Sequence, residues 1–239
     1  MRMKVTQLLG SLAALLLCLA CGDNRIEKGP IKRSGQADVV SLDDDWRFIR
    51  YGLQADGTCV EEPAGMFEPA TDDSDWETLD VPHDFAIKGP FRMDLAGNTG
   101  RLPFQGIGWY RKTFTVDEVD QGKRFYVDFD GVMANAQVWL NGEYVGTWPY
   151  GYNSFRLDLT PFIQVGKENL LAVRTDTEKW DSRWYPGAGI YRHVWLVKTG
   201  QVHVRHWGTK IEATNLTDKT ADLHLTVEVE NHLNEDAKV

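Results

Sequence analysis

The sequence predicts an all-β protein: a jelly-roll β-sandwich followed by the opening strands of a second β-domain. Three observations carry that reading. Apolar residues recur with period two throughout, and no stretch sustains the 3.6-residue period of an amphipathic helix. Asn141-Gly142 stands between two apolar runs, the strongest short signal for a two-residue hairpin, because a type I′ turn needs positive φ at both centres. The strand-like runs are short and separated by Gly, Pro and Asp, the punctuation of a sandwich rather than of a βαβ fold.

Composition narrows the function classes. The 239 residues carry 26 basic and 35 acidic side chains, a formal net charge of −9, with no basic block. That balance argues against nucleic acid as a partner and against a polybasic membrane patch. A hydrophobic fraction of 42% with 26% charged residues is that of a folded domain, so the chain can bury a core without disulfide staples.

Taken in order, the chain opens with Arg2 and Lys4 ahead of an apolar stretch, Leu8 to Ala20, broken only by Gly10 and Ser11. The stretch is short for a bilayer span and has the proportions of a signal-peptide core. It ends in Leu17-Cys18-Leu19-Ala20-Cys21. A small residue before a cysteine resembles the bacterial lipobox, with Cys18 standing where an aliphatic residue is usual. An ordinary secretory signal cut nearby is the competing reading, and the chain is read with Cys21 as the acylated residue. Residues 22–38 are polar, with Gly29-Pro30 and Gly35, and read as a tether. With Cys18 in the signal and Cys21 acylated, Cys59 stands alone, so neither an internal disulfide nor a cysteine-based zinc set is expected.

From Val39 to Val204 the strands follow. Trp46 and Phe48 alternate with Arg47; Phe125, Val127 and Phe129 alternate with Tyr126, Asp128 and Asp130. Val138 and Leu140 flank Trp139, and Tyr144 and Val145 begin the return strand after the Asn-Gly turn. Leu170 to Val173 and His193 to Val197 add further runs. Trp109, Trp139 and Trp195 sit within these patterns and read as core or interface, and Tyr110 and Arg111 as structural. In the tail, Leu223, Leu225, Val227 and Val229 alternate with His224, Thr226, Glu228 and Glu230, a strand with one apolar face, and Asn231 to Asp236 reads as a turn. Residues 205–239 supply too few strands to cover that face. They read as the truncated start of a second domain after a first domain of residues 39–204.

Several strings then combine. Asp73-Ser74-Asp75-Trp76 leads to Val81-Pro82-His83-Asp84-Phe85, and Gly108-Trp109-Tyr110-Arg111-Lys112-Thr113-Phe114 follows. Next come Asp128-Phe129-Asp130-Gly131-Val132, Val138-Trp139-Leu140-Asn141-Gly142, Pro149-Tyr150-Gly151-Tyr152 and Asp158-Leu159-Thr160. The last is Ser182-Arg183-Trp184-Tyr185-Pro186-Gly187-Ala188-Gly189-Ile190-Tyr191-Arg192. In this order and spacing they resemble the N-terminal sugar-binding domain of glycoside hydrolase family 2, and within it the exported, bacteroidete-like β-galactosidases. The resemblance covers about residues 39–204.

The resemblance implies a galactose-binding-domain-like jelly roll, then an immunoglobulin-like domain, then a TIM barrel. In the family two barrel glutamates perform retaining glycoside hydrolysis from about 5 Å apart, and a barrel needs on the order of 250 residues of its own. The catalytic pair is therefore expected outside this chain, and the chain alone is expected to be inactive. Asn234-Glu235 matches the family's acid/base pair only superficially, lacking the Trp-Gly or Trp-Ser context. Substrate contacts carry over to Asp84 of the Pro-His-Asp string and to Arg183 and Trp184 of the Ser-Arg-Trp-Tyr string; Pro186 stands where a serine is common. Carboxylates and guanidinium groups address several sugar hydroxyls at once, and ring faces pack on axial C–H groups. Asp84 as a turn cap, Arg183 as a strut and Trp184 as interdomain packing are the structural readings held beside these.

No cofactor or metal is expected within this chain; the family places Mg²⁺ or Na⁺ in the barrel. His203 and His206 lie three apart in a strand-like run, which points them to opposite faces, and no sequence neighbour completes a ligand set. The expected partner is a β-galactoside-type carbohydrate, with β-glucuronidase and β-mannosidase relatives as alternatives. The expected location is membrane-anchored, periplasmic or at the cell surface. A non-catalytic, lipid-anchored carbohydrate-binding protein is the alternative from another class.

Overall fold

The computed structural model describes residues 38–54, 56–88, 91–95, 97, 100–102, 106–177 and 185–237. Its strands are β1 (Asp38–Ser41), β2 (Trp46–Leu53), β3 (Cys59–Val60), β4 (Glu77–Leu79), β5 (Ile107–Thr115), β6 (Arg124–Phe129) and β7 (Ala136–Leu140). They continue as β8 (Glu143–Trp148), β9 (Phe155–Asp158), β10 (Glu168–Asp176), β11 (Val194–Thr199), β12 (Val202–Thr214) and β13 (Asp222–Asn231). Short 3₁₀ turns cover Phe85–Lys88 and Glu118–Asp120.

Two antiparallel sheets make the sandwich. The smaller runs β1-β11-β6-β9; the larger runs β3-β2-β5-β10-β7-β8, with β4 beside β2. The Asn-Gly turn is where the pattern placed it: Asn141 and Gly142 both have positive φ, 55° and 87°, and Leu140 pairs with Glu143 across the turn. The period-two reading also holds. Phe125, Val127 and Phe129 of β6, Val138 and Leu140 of β7, Leu171 and Val173 of β10 and Val194 and Leu196 of β11 meet in one buried cluster with Trp46 and Phe48 of β2. Each large apolar side chain taken fully out of water contributes about 1.5–3 kcal/mol, so this double layer is the main source of stability.

The tryptophans singled out in the strands do not lie in that central layer. Trp109 is buried on the outer face of the larger sheet with Tyr51, Ile107 and Ala172, where the 61–76 excursion lays Met66, Phe67 and Trp76 over it. Trp139 joins this second layer, stacking on Phe67 at 5.1 Å and meeting Trp109 at 5.2 Å. Trp195 packs with Tyr126 and Val197 on the outer face of the smaller sheet. Arg111 holds the excursion down. Its buried guanidinium donates to Asp73 Oδ2 at 2.7 Å and to the carbonyls of Met66, Glu68 and Thr71 at 2.9, 2.8 and 3.2 Å. A buried cation is tolerable only when its donors are matched in this way.

Strands β12 and β13 form a separate hairpin. Its apolar face is open: Leu223 and Leu225 are 69% and 63% exposed, and Ile211 is exposed with them.

Candidate functional site

The segment 81–88 reaches the 185–190 segment through backbone pairing. His83 N–H donates to the Ile190 carbonyl at 2.7 Å and Phe85 N–H to the Ala188 carbonyl at 3.0 Å. Asp84 sits between these bonds and closes the junction with its carboxylate. Oδ1 accepts from the backbone N–H groups of Ala86 and Ala188, each at 3.0 Å, and Oδ2 accepts from the Tyr185 hydroxyl at 2.8 Å. Asp84 is thus a turn cap, as one of the sequence readings has it, and also a bridge to residues 101 and 104 positions away. A carboxylate has about four lone-pair sites. Three are taken among the described residues, which leave Oδ2 one acceptor position.

The junction demands glycine at its tightest point. At Gly189 (φ 117°) a Cβ would stand 2.8 Å from the His83 carbonyl oxygen and run into the Tyr110 hydroxyl. Gly189 also exchanges both backbone bonds with Met133, at 2.9 and 2.7 Å, which ties the junction to the loop before β7. Below it, His83 Nδ1 and the fully buried Tyr110 hydroxyl lie 2.9 Å apart.

Burial sets the protonation states here. Removal from water, with the nearby Lys88 charge adding to it, lowers the His83 pKa from 6.5 to about 4, so the ring is neutral at neutral pH. His83 Nε2 is buried with no hydrogen-bond partner among the described residues. Burial raises Tyr110 well above the ordinary phenol range. Burial, and then donation to Asp84, push Tyr185 the same way. Asp84 is the acceptor of this network and the two tyrosines remain protonated.

Of the residues expected to meet substrate, the structure places Asp84 in this network, whereas Arg183 and Trp184 lie outside the described residues, as does Cys21. Tyr185, the next residue of the same string, is the one that touches Asp84. Its place beside Arg183 and Trp184 in that string is the signal by which sequence alone could have found it. Tyr110 and Arg111 are structural, as expected.

The histidine reading changes in one respect. The search along the chain found no ligand neighbours for His203, but across the strand pair Glu230 and His232 come beside it, all three ligand atoms lying within 4.8 Å of one another. The reason is a shift of register between Val204 and Thr209. Counted back from the Thr214–Asp222 pair, His203 would stand opposite residue 233; the shift sets it opposite Glu230.

Comparison with known proteins agrees with the fold. The family model for the glycosyl hydrolases family 2 sugar binding domain matches residues 39–200. A β-galactosidase of Bacteroides ovatus is 47% identical over 191 residues, covering 78% of this chain and 21% of that protein. A β-glucuronidase of Formosa agariphila is 28% identical over 221 residues, covering 83% of this chain and 22% of that protein. Among solved structures, a glycosyl hydrolase family 2 member from Bacteroides cellulosilyticus superposes with a TM-score of 0.71 at 36% identity, covering 80% of this chain and 24% of its own. The chain therefore spans about a fifth to a quarter of the length of these relatives.

Proposed function

The chain belongs to glycoside hydrolase family 2 through its sugar-binding domain, and from that premise we propose that it supplies sugar-facing loops to a retaining glycosidase acting on β-galactosides. The observation that carries the proposal is the Asp84 junction. It fixes the 81–88 and 185–190 segments to one another and leaves one Oδ2 acceptor position for a hydroxyl. In this reading Asp84 accepts from a sugar hydroxyl, Arg183 donates to neighbouring oxygens, and Trp184 offers a ring face. A β-galactosidase 47% identical to this chain supports the choice of glycoside, and a putative β-glucuronidase at 46% identity keeps the glucuronide as the competing substrate.

The hydrolytic step belongs to two carboxylates about 5 Å apart in a barrel, and we place that barrel outside residues 1–239. We also propose that the product is exported and anchored through acylated Cys21. The chemistry is tested by purifying the product of the complete reading frame that contains this chain and assaying nitrophenyl β-galactoside and β-glucuronide. Turnover of the galactoside is expected. Preference for the glucuronide would reassign the substrate, binding without turnover would make this a carbohydrate-binding protein, and neither binding nor turnover would overturn the proposal.

A further inference from the structure

We propose that His203, Glu230 and His232 form a structural site for a divalent transition-metal ion of the zinc class at the root of the β12–β13 hairpin. His203 and Glu230 are a direct cross-strand pair, and His232 lies two residues beyond Glu230. The three therefore converge on one face of the ladder.

The tautomer is fixed by geometry. His203 Nδ1 lies 3.0 Å from the Gly200 carbonyl, which can only accept, so Nδ1 carries a proton and the neutral ring presents its lone pair at Nε2. A backbone carbonyl holding the far nitrogen is the usual second-sphere arrangement of a metal-bound histidine. Facing that lone pair at 3.4 Å is Glu230 Oε2, another acceptor, and His232 Nε2 stands 3.5 Å from the same oxygen. Two acceptors so placed repel unless a proton or a metal ion lies between them. A charge-assisted hydrogen bond would draw them to about 2.7–2.9 Å. Tetrahedral zinc with bonds of about 2.0–2.2 Å sets neighbouring ligand atoms about 3.4 Å apart, which the two observed separations match.

The other carboxylate oxygen, Oε1, faces Arg205 Nε at 3.6 Å, leaving Oε2 toward the histidines. The His203 and His232 rings are near parallel, 15° apart at 5.5 Å, so the exposed His232 ring turns to bring its lone pair onto the ion. The Tyr126 hydroxyl of β6 approaches His203 Nε2 at 3.4 Å, a weak contact that the ion displaces. Two imidazoles, one carboxylate and a water complete four-coordination, a donor set suited to zinc or cobalt and not to magnesium.

The ligands come from both sides of the hairpin, so the ion would pin its root where the register is irregular. The test is titration of the chelator-stripped chain with Co²⁺, read by the visible d–d bands of four-coordinate cobalt, and with Zn²⁺, read by displacement of cobalt and by Tm. Cys59 is an exposed thiol that can also take these ions, so variants are compared on a Cys59→Ser background. Expected results are cobalt bands and a zinc-dependent rise in Tm. His232→Ala and Glu230→Gln should weaken binding at least tenfold, Tyr126→Phe should retain it, and Mg²⁺ should be without effect. Should the metal-free Tm of His232→Ala fall, the cobalt spectrum of the folded variant at low temperature still reports ligand loss. Absence of the bands, or their persistence in both ligand variants, would overturn the proposal.

Discussion

Asp84 satisfies two backbone donors and one phenol, and that division makes two substitutions informative at the scale of the residue. Asp84→Ala strands all three donors at a partly buried junction, and a loss of about 2–4 kcal/mol is expected from chemical denaturation. Tyr185→Phe removes one bond and should cost about 1 kcal/mol. Equal losses would mean that the Ala86 and Ala188 bonds contribute nothing. His83 supplies a pH dependence. It titrates at about 4 when folded and near 6.5 when unfolded, so as pH falls the unfolded chain takes up the proton first. The stability linked to neutral His83 is therefore complete above pH 6.5 and is lost progressively down to about pH 4. His83→Gln should flatten the slope of unfolding free energy in that window, and an unchanged slope would show that the ring is not desolvated. The local half of this site was legible in the sequence, since an aspartate capping its own turn needs only the residues that follow it. The other half was not. Tyr185 and Ala188 lie over a hundred positions away, and no periodicity encodes which distant hydroxyl fills a given acceptor.

At the scale of the element, period two and turn chemistry account for most of the sandwich. Residues 125, 127 and 129 could be assigned to one face because alternation in a strand is strict, and Asn141-Gly142 because few dipeptides accept two positive φ values. What alternation could not say is what covers the other face. Trp109 and Trp139 read as core or interface; Trp109 is buried and Trp139 partly so, but under an irregular excursion whose carbonyls Arg111 gathers. The hairpin root failed for a related reason: an irregularity between Val204 and Thr209 shifts the register by three, and so rewrites every cross-strand partner below it. The hairpin itself yields a prediction. Leu223 and Leu225 and their same-face neighbours present apolar surface in a two-stranded sheet, which is an aggregation hazard. A chain trimmed after Val204 should stay monomeric at higher concentration and bind less of a hydrophobic dye than the 239-residue chain. Equal dye binding and equal light scattering would show that this face is protected in solution.

For the whole molecule, the proposed anchoring decides how a chain of net charge −9 meets its proposed sugar. An acidic chain gains nothing from anionic lipid headgroups, so the proposed retention at a membrane rests on a covalent lipid. On the reading proposed above, Arg2, Lys4, the apolar run to Ala20 and the Ala20-Cys21 step are the address for one. Because a single acyl chain gives only marginal anchoring, firm retention requires a second chain or a second signal beside the first. Cells fed radiolabelled palmitate should incorporate label into the wild-type chain and none into Cys21→Ser, with the variant moving from the membrane to the soluble exported fraction. Label retained in the variant would place the acyl group elsewhere. A wild-type chain that carries no label and starts at another residue would instead mark an ordinary secretory signal, and the sandwich would then meet its sugar as a freely diffusing protein.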